Sequence, residues 1–349
     1  MPDTSGDSTH GGVRLSGADL TGWASRVLRR AGLRPSAARR VAGILVDTDA
    51  AGISTHGVVL LPRLVGAIRR GELNARPLVR VVASRAAAVR LDGDNGPGQL
   101  VAWTAMGYAL KRARRAGIGL VSISNTNHFG AASSYVEQAA DAGCWGLAVS
   151  NSSARVAPVG AREALLGTSP IALAALGLGG ERVVIDLSTA AIARGKVREA
   201  AREGWPIPAG VAQDADGKAT TDAARAMAGL LLPLGGERGL ALGLLVELLS
   251  ILGGGRLSSQ VTLADDRWGG LELGQTFIAI DPTAWCAPGE LAAQVAQLQA
   301  ETRRLAGRAP GDRRRAARMR ALAEGVPLSG SVAEQLETLG REMAIPAPL

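Results

Sequence analysis

Residues 118–151 read IGLVSISNTNHFGAASSYVEQAADAGCWGLAVSN. The run from Ile118 to Ser124 is apolar and partly β-branched, and it stops at the turn-forming cluster Asn125-Thr126-Asn127. A helical stretch from Ala131 to Ala142 follows, and Trp145 to Asn151 returns to strand composition. Strand, helix and strand in succession predict an α/β core. The ends of strands in such cores are where ligands bind, so the loop carrying His128 is a first candidate for chemistry.

Working outward, Val183 to Leu187 and Phe277 to Ile280 are further short strands, and Leu78 to Leu91 is broadly strand-like up to the turn Asp92-Gly93-Asp94-Asn95-Gly96. Gln99 to Ala116 reads as a long helix. From Ser16 to Ala51 apolar residues recur every three or four positions, predicting two helices with Ser16 and Ser36 as N-caps. The segment from His56 to Arg70 continues helically and stops near Gly71. Gly239 to Gly253 is strongly apolar with Glu247 as its only charge, and it reads as a buried helix rather than a membrane span. Leu291 to Met343 is helical and charged, and no internal repeat or long linker interrupts the chain. The segment from Met1 to Gly12 has neither a basic start nor an apolar stretch, and it reads as a disordered tail rather than a signal peptide.

Composition narrows the class. Nearly half of the 349 residues are apolar, enough for a sizeable core. The net charge of +8 comes from scattered Lys and Arg, and two Tyr and two Phe leave little for base stacking, so nucleic acid is not the expected partner. The densest cluster, Arg313 to Arg320, reads as a solvated helix face. Cys144 and Cys286, each without a neighbouring cysteine, suit a reducing cytoplasm and offer no metal-ligand spacing.

Three histidines are present, and His10 falls in the tail. His56 follows Ser54-Thr55 in a turn feeding a helix, where the helix N-terminus favours a neutral imidazole. His128, at a strand end, could give a proton to a developing alkoxide or amide. The alternative for each is a capping or core hydrogen bond. No metal site is expected: there is no third His in the body of the chain, no paired Cys and no His-x-x-x-His. Asp214-Ala215-Asp216-Gly217 echoes part of a calcium loop but lacks its later ligands, and reads as a turn. A nucleophile elbow is also missing.

Gly177-Leu178-Gly179-Gly180 neither follows the first strand nor opens a helix, so no standard Rossmann fingerprint is encoded. Pro233-Leu234-Gly235-Gly236-Glu237-Arg238-Gly239 leads straight into the apolar helix, where N–H groups, a helix dipole and Arg238 converge as a phosphate cradle. A plain glycine-rich loop is the equal alternative.

Taken in order, Thr55-His56-Gly57-Val58, Asp92 to Gly96 with Gly98-Gln99, Asn127 to Ala131, Ala157-Pro158 and Gly167 to Pro170 form one series. It continues with Asp186 to Thr189, Gly195-Lys196, Leu232 to Gly236 and Pro310-Gly311-Asp312. With this series the chain resembles the type 2 malate/L-lactate dehydrogenase family, which includes ureidoglycolate, sulfolactate and diketogulonate oxidoreductases and cyclic-imine reductases. The similarity runs from about Leu15 to the C-terminus.

The resemblance implies a non-Rossmann α/β fold with a mixed sheet, usually a homodimer, that binds NADH or NADPH in an extended form between domains. It implies a tail over 1–13, a helical substrate and dimerisation domain built from 14–116 and 285–349, and an NAD(P)-binding domain over 117–284. By the same resemblance His128 first and His56 second are the proton donor or acceptor, and Thr55 stands where the family has a substrate-contacting Ser. Ser152, Asp186, Leu187, Ser188, Gly235, Gly236, Arg238 and Pro310, Gly311 and Asp312 would lie along the cofactor, and Lys196 matches a family Lys.

Departures from the family bear on the substrate. Leu60 and Leu64 stand where the family commonly has an Arg and a Tyr, which removes a bidentate carboxylate partner. Ser54 replaces an Asp, Ser133-Ser134 a Gly-Tyr, and Arg238 a Lys. The expected activity is therefore reduction of a ketone or imine less acidic than the usual 2-oxo acids. The alternatives are ordinary 2-oxo acid reduction, with Arg63 or a partner-subunit residue replacing the Arg, and a binding or scaffold homologue without catalysis.

Overall fold

The computed structural model describes residues 12–261, 268–287 and 289–349. Most of the expected tail, His10 included, lies outside the described residues, but Val13 already belongs to a strand. In chain order the elements open with β1 (Val13–Leu15), α1 (Gly17–Arg30), α2 (Pro35–Ala50) and α3 (Leu61–Arg69). They continue through β2 (Arg80–Arg85), β3 (Ala88–Asp92), α4 (Gly98–Ala116), β4 (Ile118–Thr126), α5 (Ser133–Asp141), β5 (Trp145–Ser150), β6 (Pro170–Leu176) and β7 (Arg182–Ser188). Then come α6 (Arg194–Glu203), β8 (Ala212–Gln213), α7 (Ala223–Ala228), β9 (Leu230–Leu231), α8 (Glu237–Ile251), β10 (Leu273–Ile280) and α9 (Glu290–Ala306). α10 (Asp312–Glu324), β11 (Val326–Leu328) and α11 (Gly330–Glu342) close the chain.

Two compact units result, Met1–Arg76 with Asp312–Leu349 and Pro77–Gly311. The first does draw on both chain ends, but residues 77–116 and 285–311 cluster with the second, not with the helical domain expected to hold them. The cause is pairing: β2 and β3 extend the main sheet, α4 packs on β4, and α9 packs on β6.

In the first unit α1 packs on α2 and buries Leu20, Trp23, Ala24, Val27 and Leu28 along one stripe. Ser16 caps α1 as expected, its hydroxyl accepting from the Asp19 N–H at 3.4 Å. Ser36 does not cap α2. Pro35 occupies the first helical position, where its missing N–H costs nothing, which makes Arg34 the N-cap. β1 pairs antiparallel with β11, Val13 opposite Leu328, and the Trp23 indole donates to the Ile345 carbonyl at 3.0 Å. The helix expected from His56 begins only at Leu61. Ser54–His56 and Val58–Leu60 are separate 3-10 turns, and Pro62 sits in the first turn of α3.

In the second unit the sheet order is β2-β3-β4-β10-β5-β6-β7, with β3 and β4 parallel and the other pairs antiparallel. This is the mixed sheet the resemblance implies. α4 lies against Gly119, where a Cβ would overlap the Ala109 carbonyl, while the chain after α8 lies against Ser122. Residues 119 and 122 face opposite sides of a strand, so α4 and α8 cover opposite faces of the sheet. The single helical and charged segment expected from Leu291 is instead α9, α10 and α11, broken at Gly307 and by β11.

Candidate functional site

The strand directions bring several of the candidate loops of the second unit to one end of the sheet. β3 and β4 are parallel, β4 and β5 are both antiparallel to β10, and β6 is antiparallel to both β5 and β7. The C-terminal ends of β3, β4, β5 and β7 therefore share that end with the starts of β6 and β10. The turn 92–96, the loop 125–130, Ser152, the segment 167–169, Asp186 to Ser188 and the segment 268–271 all gather there.

His128 is half-buried in a loop held by Asn127. The Asn127 amide donates to Asn95 Oδ1 at 2.9 Å and to the Gly96 carbonyl at 3.0 Å, and its oxygen accepts the Leu271 N–H at 3.1 Å. Asn95 Oδ1 also takes the Gly270 N–H, and the Gln275 side chain donates to the Asn127 carbonyl at 2.9 Å. Asp94, Asn95 and Asn125 have φ between 51° and 54°, a left-handed conformation that Asn and Asp tolerate best, which is why they occupy these turns. Next to His128, Phe129 is buried and stacked on Tyr135 with ring centroids 5.1 Å apart, and the Tyr135 hydroxyl donates to the Phe129 carbonyl. Burial pushes the Tyr135 phenol well above its ordinary value, so it stays protonated and keeps that bond.

His128 Nδ1 accepts the Gly130 N–H at 3.3 Å. A neutral imidazole accepting at Nδ1 carries its proton on Nε2, the donor form needed to protonate a reduced carbonyl oxygen or imine nitrogen. Across the ring lies the Trp268 indole, 9% exposed, its centroid 5.1 Å from that of His128.

Ser152, Asp186, Leu187, Ser188 and the Gly235-Gly236 loop form a second group of cofactor candidates at the same end of the sheet. Asp186 Oδ2 accepts the Ser133 N–H at 3.0 Å at the start of α5, and Ser188 Oγ bridges the Thr168 carbonyl and the Ala190 N–H. Ser152 Oγ accepts the Thr168 N–H at 3.2 Å, and Gly167 lies so close to Ser152 that a Cβ there would overlap the hydroxyl. Leu187, half-buried, pairs with Ile171 across β6 and β7. The glycine loop reaches the end of β7 through the Leu234 N–H on the Thr189 carbonyl at 2.9 Å. Gly235 and Gly236 have φ of 61° and 71°, Gly236 is the N-cap of α8 without a side-chain cap, and Arg238 is exposed in its first turn. The space over Gly235 is open, with nothing within 4 Å of where a Cβ would stand, so the loop fits a phosphate group. Pro310 and Gly311 rest on the first half of β7, the Pro310 carbonyl accepting the Val184 N–H at 3.3 Å and Gly311 lying against Arg182 and Val184, so they do not join the group at the other end of that strand. Lys196 is exposed on α6. By contrast Gly177 to Gly180 only turns the chain between β6 and β7, and Asp214 Oδ1 accepts the Asp216 and Lys218 N–H groups in a plain turn.

The remaining candidates belong to the first unit. Thr55 Oγ1 and His56 Nδ1 are hydrogen-bonded at 2.8 Å, both residues half-buried. The Val58 N–H donates to Asp49 Oδ2 at 2.7 Å, and a Cβ on Gly57 would overlap the Asp49 carboxyl. Burial pushes that carboxyl up to about 8, the Val58 hydrogen bond opposing the rise. Leu60 and Leu64 are 7% and 1% exposed, and Arg63 is exposed on α3. Asp312 opens α10 in this same unit.

Sequence reasoning passed over Asp49, Asn127 and Trp268. Asp49 did leave a signal, since it falls four and eight residues after Leu45 and Val41 on the buried stripe of α2, where a carboxylate is out of place. Trp268 left none, because its partner lies far away in sequence. Among the described residues no group of three His, Cys, Asp or Glu could hold a metal ion, and no helix is long and apolar enough to cross a membrane.

Comparison with known proteins follows this geometry. A family model described as malate/L-lactate dehydrogenase matches residues 15–337. The chain is 38% identical over 272 residues to the L-sulfolactate dehydrogenase of Methanocaldococcus jannaschii, covering 78% of this chain and 79% of that one. It is 36% identical over 328 residues to a Delta(1)-pyrroline-2-carboxylate/Delta(1)-piperideine-2-carboxylate reductase of Pseudomonas syringae, covering 90% and 93%. The solved structure of malate dehydrogenase from Pyrococcus horikoshii superposes with a TM-score of 0.88 at 31% identity, covering 97% of each chain.

Proposed function

Because the chain belongs to the malate/L-lactate dehydrogenase family of NAD(P)-dependent oxidoreductases, we propose that it reduces a small ketone or cyclic imine, with His128 as the proton donor. The observation that carries this assignment is the Nδ1 contact with the Gly130 N–H, which leaves the proton of a neutral His128 on Nε2. The nicotinamide, when bound, supplies the hydride. Asn127 holds the loop so that Nε2–H keeps its direction, and Trp268 limits access of water to one face of the ring. The donated proton goes to the oxygen or nitrogen of the reduced double bond, leaving a neutral alcohol or amine. His56, with Thr55 on its Nδ1, is assigned the second substrate-lining role.

Ser152, Asp186, Leu187, Ser188, Gly235, Gly236 and Arg238 are the residues we assign to the cofactor, with Lys196, Pro310, Gly311 and Asp312 included on the family pattern alone. Open space over Gly235 and the uncapped start of α8 support a phosphate there. Arg238, exposed in the first turn of α8, can pair bidentately with a cofactor phosphate of NADH or NADPH. The substrate is assigned low acidity because Leu60 and Leu64 put apolar, buried side chains at the positions concerned. The second reading, a 2-oxo acid, draws on Arg63, whose exposed guanidinium is available to a carboxylate. We further assign a homodimer in the cytoplasm. Leu244, Leu245, Leu248 and Leu252 leave an exposed apolar face on α8 that a second copy would cover, and both cysteines are free thiols.

The test is a turnover panel with NADH and NADPH against Δ1-piperideine and Δ1-pyrroline, their 2-carboxylates, oxaloacetate, pyruvate and sulfopyruvate, using wild type and His128→Gln. Turnover of an imine or ketone that falls about 100-fold or more in His128→Gln, with NADPH binding intact, supports the assignment. Full activity of His128→Gln overturns the proton-donor role, and failure to bind either cofactor favours a scaffold protein.

A further inference from the structure

We propose that Asp49 is a positioning residue for His56, seating the turn Thr55-His56-Gly57-Val58 on its carboxyl. Asp49 lies in the last turn of α2 and is 4% exposed. Its Oδ2 accepts the Val58 N–H at 2.7 Å. The other side of the same carboxyl lies against Gly57, which has no room for a Cβ. Gly57 has a φ of −88°, outside the left-handed region, so its glycine is accounted for by this close approach rather than by backbone conformation. The two residues that follow His56 are thus fixed by one side chain, while Thr55, which precedes it, hydrogen-bonds the imidazole at Nδ1. His56 is held between them.

An apolar residue would fill this place in α2 without the cost of burying a carboxyl. The carboxyl's rise to about 8 records that cost. Groups held against their solvation preference concentrate where orientation matters, and the turn it orients carries one of the chain's three histidines.

The catalytic consequence rests on the reading that His56 lines the substrate site, so the test has two arms. In the first, the imidazole carbon-bound proton resonances of His56 and His128 are followed against pH by NMR in wild type, Asp49→Ala and Asp49→Asn, with His56→Gln giving the assignment. Asp49→Asn keeps a side-chain oxygen for the Val58 N–H at nearly the same volume. The expected result is a displaced titration and several broadened positions for His56 in Asp49→Ala, recovery in Asp49→Asn, and an unmoved His128 throughout. An unmoved His56 resonance in Asp49→Ala overturns the proposal, as does an equal displacement of His128, which would mark a general loss of structure.

The second arm measures kcat and KM on a substrate from the panel above. Asp49→Ala is expected to lower kcat about 30-fold with the cofactor KM unchanged, and to lower it less than about 2-fold when His56 is already Ala. Equal factors in both backgrounds overturn action through His56. If His56→Ala alone leaves kcat intact, the substrate-lining role of His56 fails, and the NMR arm still decides whether Asp49 holds it.

Discussion

The indole of Trp268 is tilted 40° over the imidazole of His128, with ring centroids 5.1 Å apart. His128 follows β4 and Trp268 precedes β10, far apart in sequence, yet the Asn127 hydrogen bond to the Leu271 N–H ties their segments together. The imidazole therefore has a wall on one face, and its Nδ1 contact with the Gly130 N–H fixes the ring plane.

Removing that wall should loosen the donor without unfolding the chain. Trp268→Ala is expected to lower kcat/KM about 10-fold, and Trp268→Phe less, since an aromatic pair of this kind contributes about 1 kcal/mol beyond its buried area. Steady-state kinetics beside far-UV circular dichroism checks this; unchanged kcat/KM in Trp268→Ala would show that the indole does not orient His128.

Asn127 is buried and joins three segments through its amide. Asn127→Ala leaves the Leu271 N–H and the Gly96 carbonyl without that partner, which should destabilise the fold by about 2–4 kcal/mol. Asn127→Asp, which keeps an acceptor for Leu271 but loses the donor, should fall between. Denaturant unfolding measures both, and a loss under about 1 kcal/mol in Asn127→Ala would mean the loop is held by other contacts.

The Asp49 carboxyl is raised by burial from 3.8 to about 8. Between these two values the folded chain holds a proton that the unfolded chain has released, so the stability from this group is complete below about pH 4 and declines as pH rises toward 8. Asp49→Asn cannot ionise. Its melting temperature should match wild type near pH 4 and exceed it by several degrees, roughly 5 °C, at pH 8. Parallel pH profiles for the two proteins would contradict the assignment.

Leu60 and Leu64 test the substrate class. Leu60→Arg should raise turnover of oxaloacetate or pyruvate relative to cyclic imines without a carboxylate, because a guanidinium matches a carboxylate in geometry and charge. Leu64 is 1% exposed, so adding Leu64→Tyr should also cost about 1–3 kcal/mol of stability by overpacking. No gain on either 2-oxo acid would remove these positions from the substrate pocket.

Much of the second unit was legible because its signals are local. The strand, turn and helix of 118–142 follow from composition, and the Asp94-Asn95 turn from side chains that accept positive φ. β6 was not legible, because Pro170 to Leu176 is rich in alanine, which carries little strand preference until Leu147 and Ile185 flank it across the sheet. The helix start at His56 was misread for a tertiary reason. Asp49 takes the Val58 N–H, and Pro62 sets the first turn later, so the stretch resolves into two 3-10 turns before α3. The two histidines were legible as candidates, while the residues that orient them were not, since Trp268 meets His128 only after the sheet has formed.

The pairing of β1 with β11 has a consequence for biosynthesis. Val13 leaves the ribosome early and its partner Leu328 near the end, with the whole of Pro77–Gly311 made in between. Chains emerge at about 5–20 residues per second and contiguous domains fold as units during synthesis. The sheet-bearing unit, continuous in sequence, can complete on the ribosome, whereas α2 and α3 must wait for the cover of α10, β11 and α11 until Asp312–Leu349 arrives. A truncation before Asp312 should therefore yield a folded sheet and an aggregation-prone N-terminus.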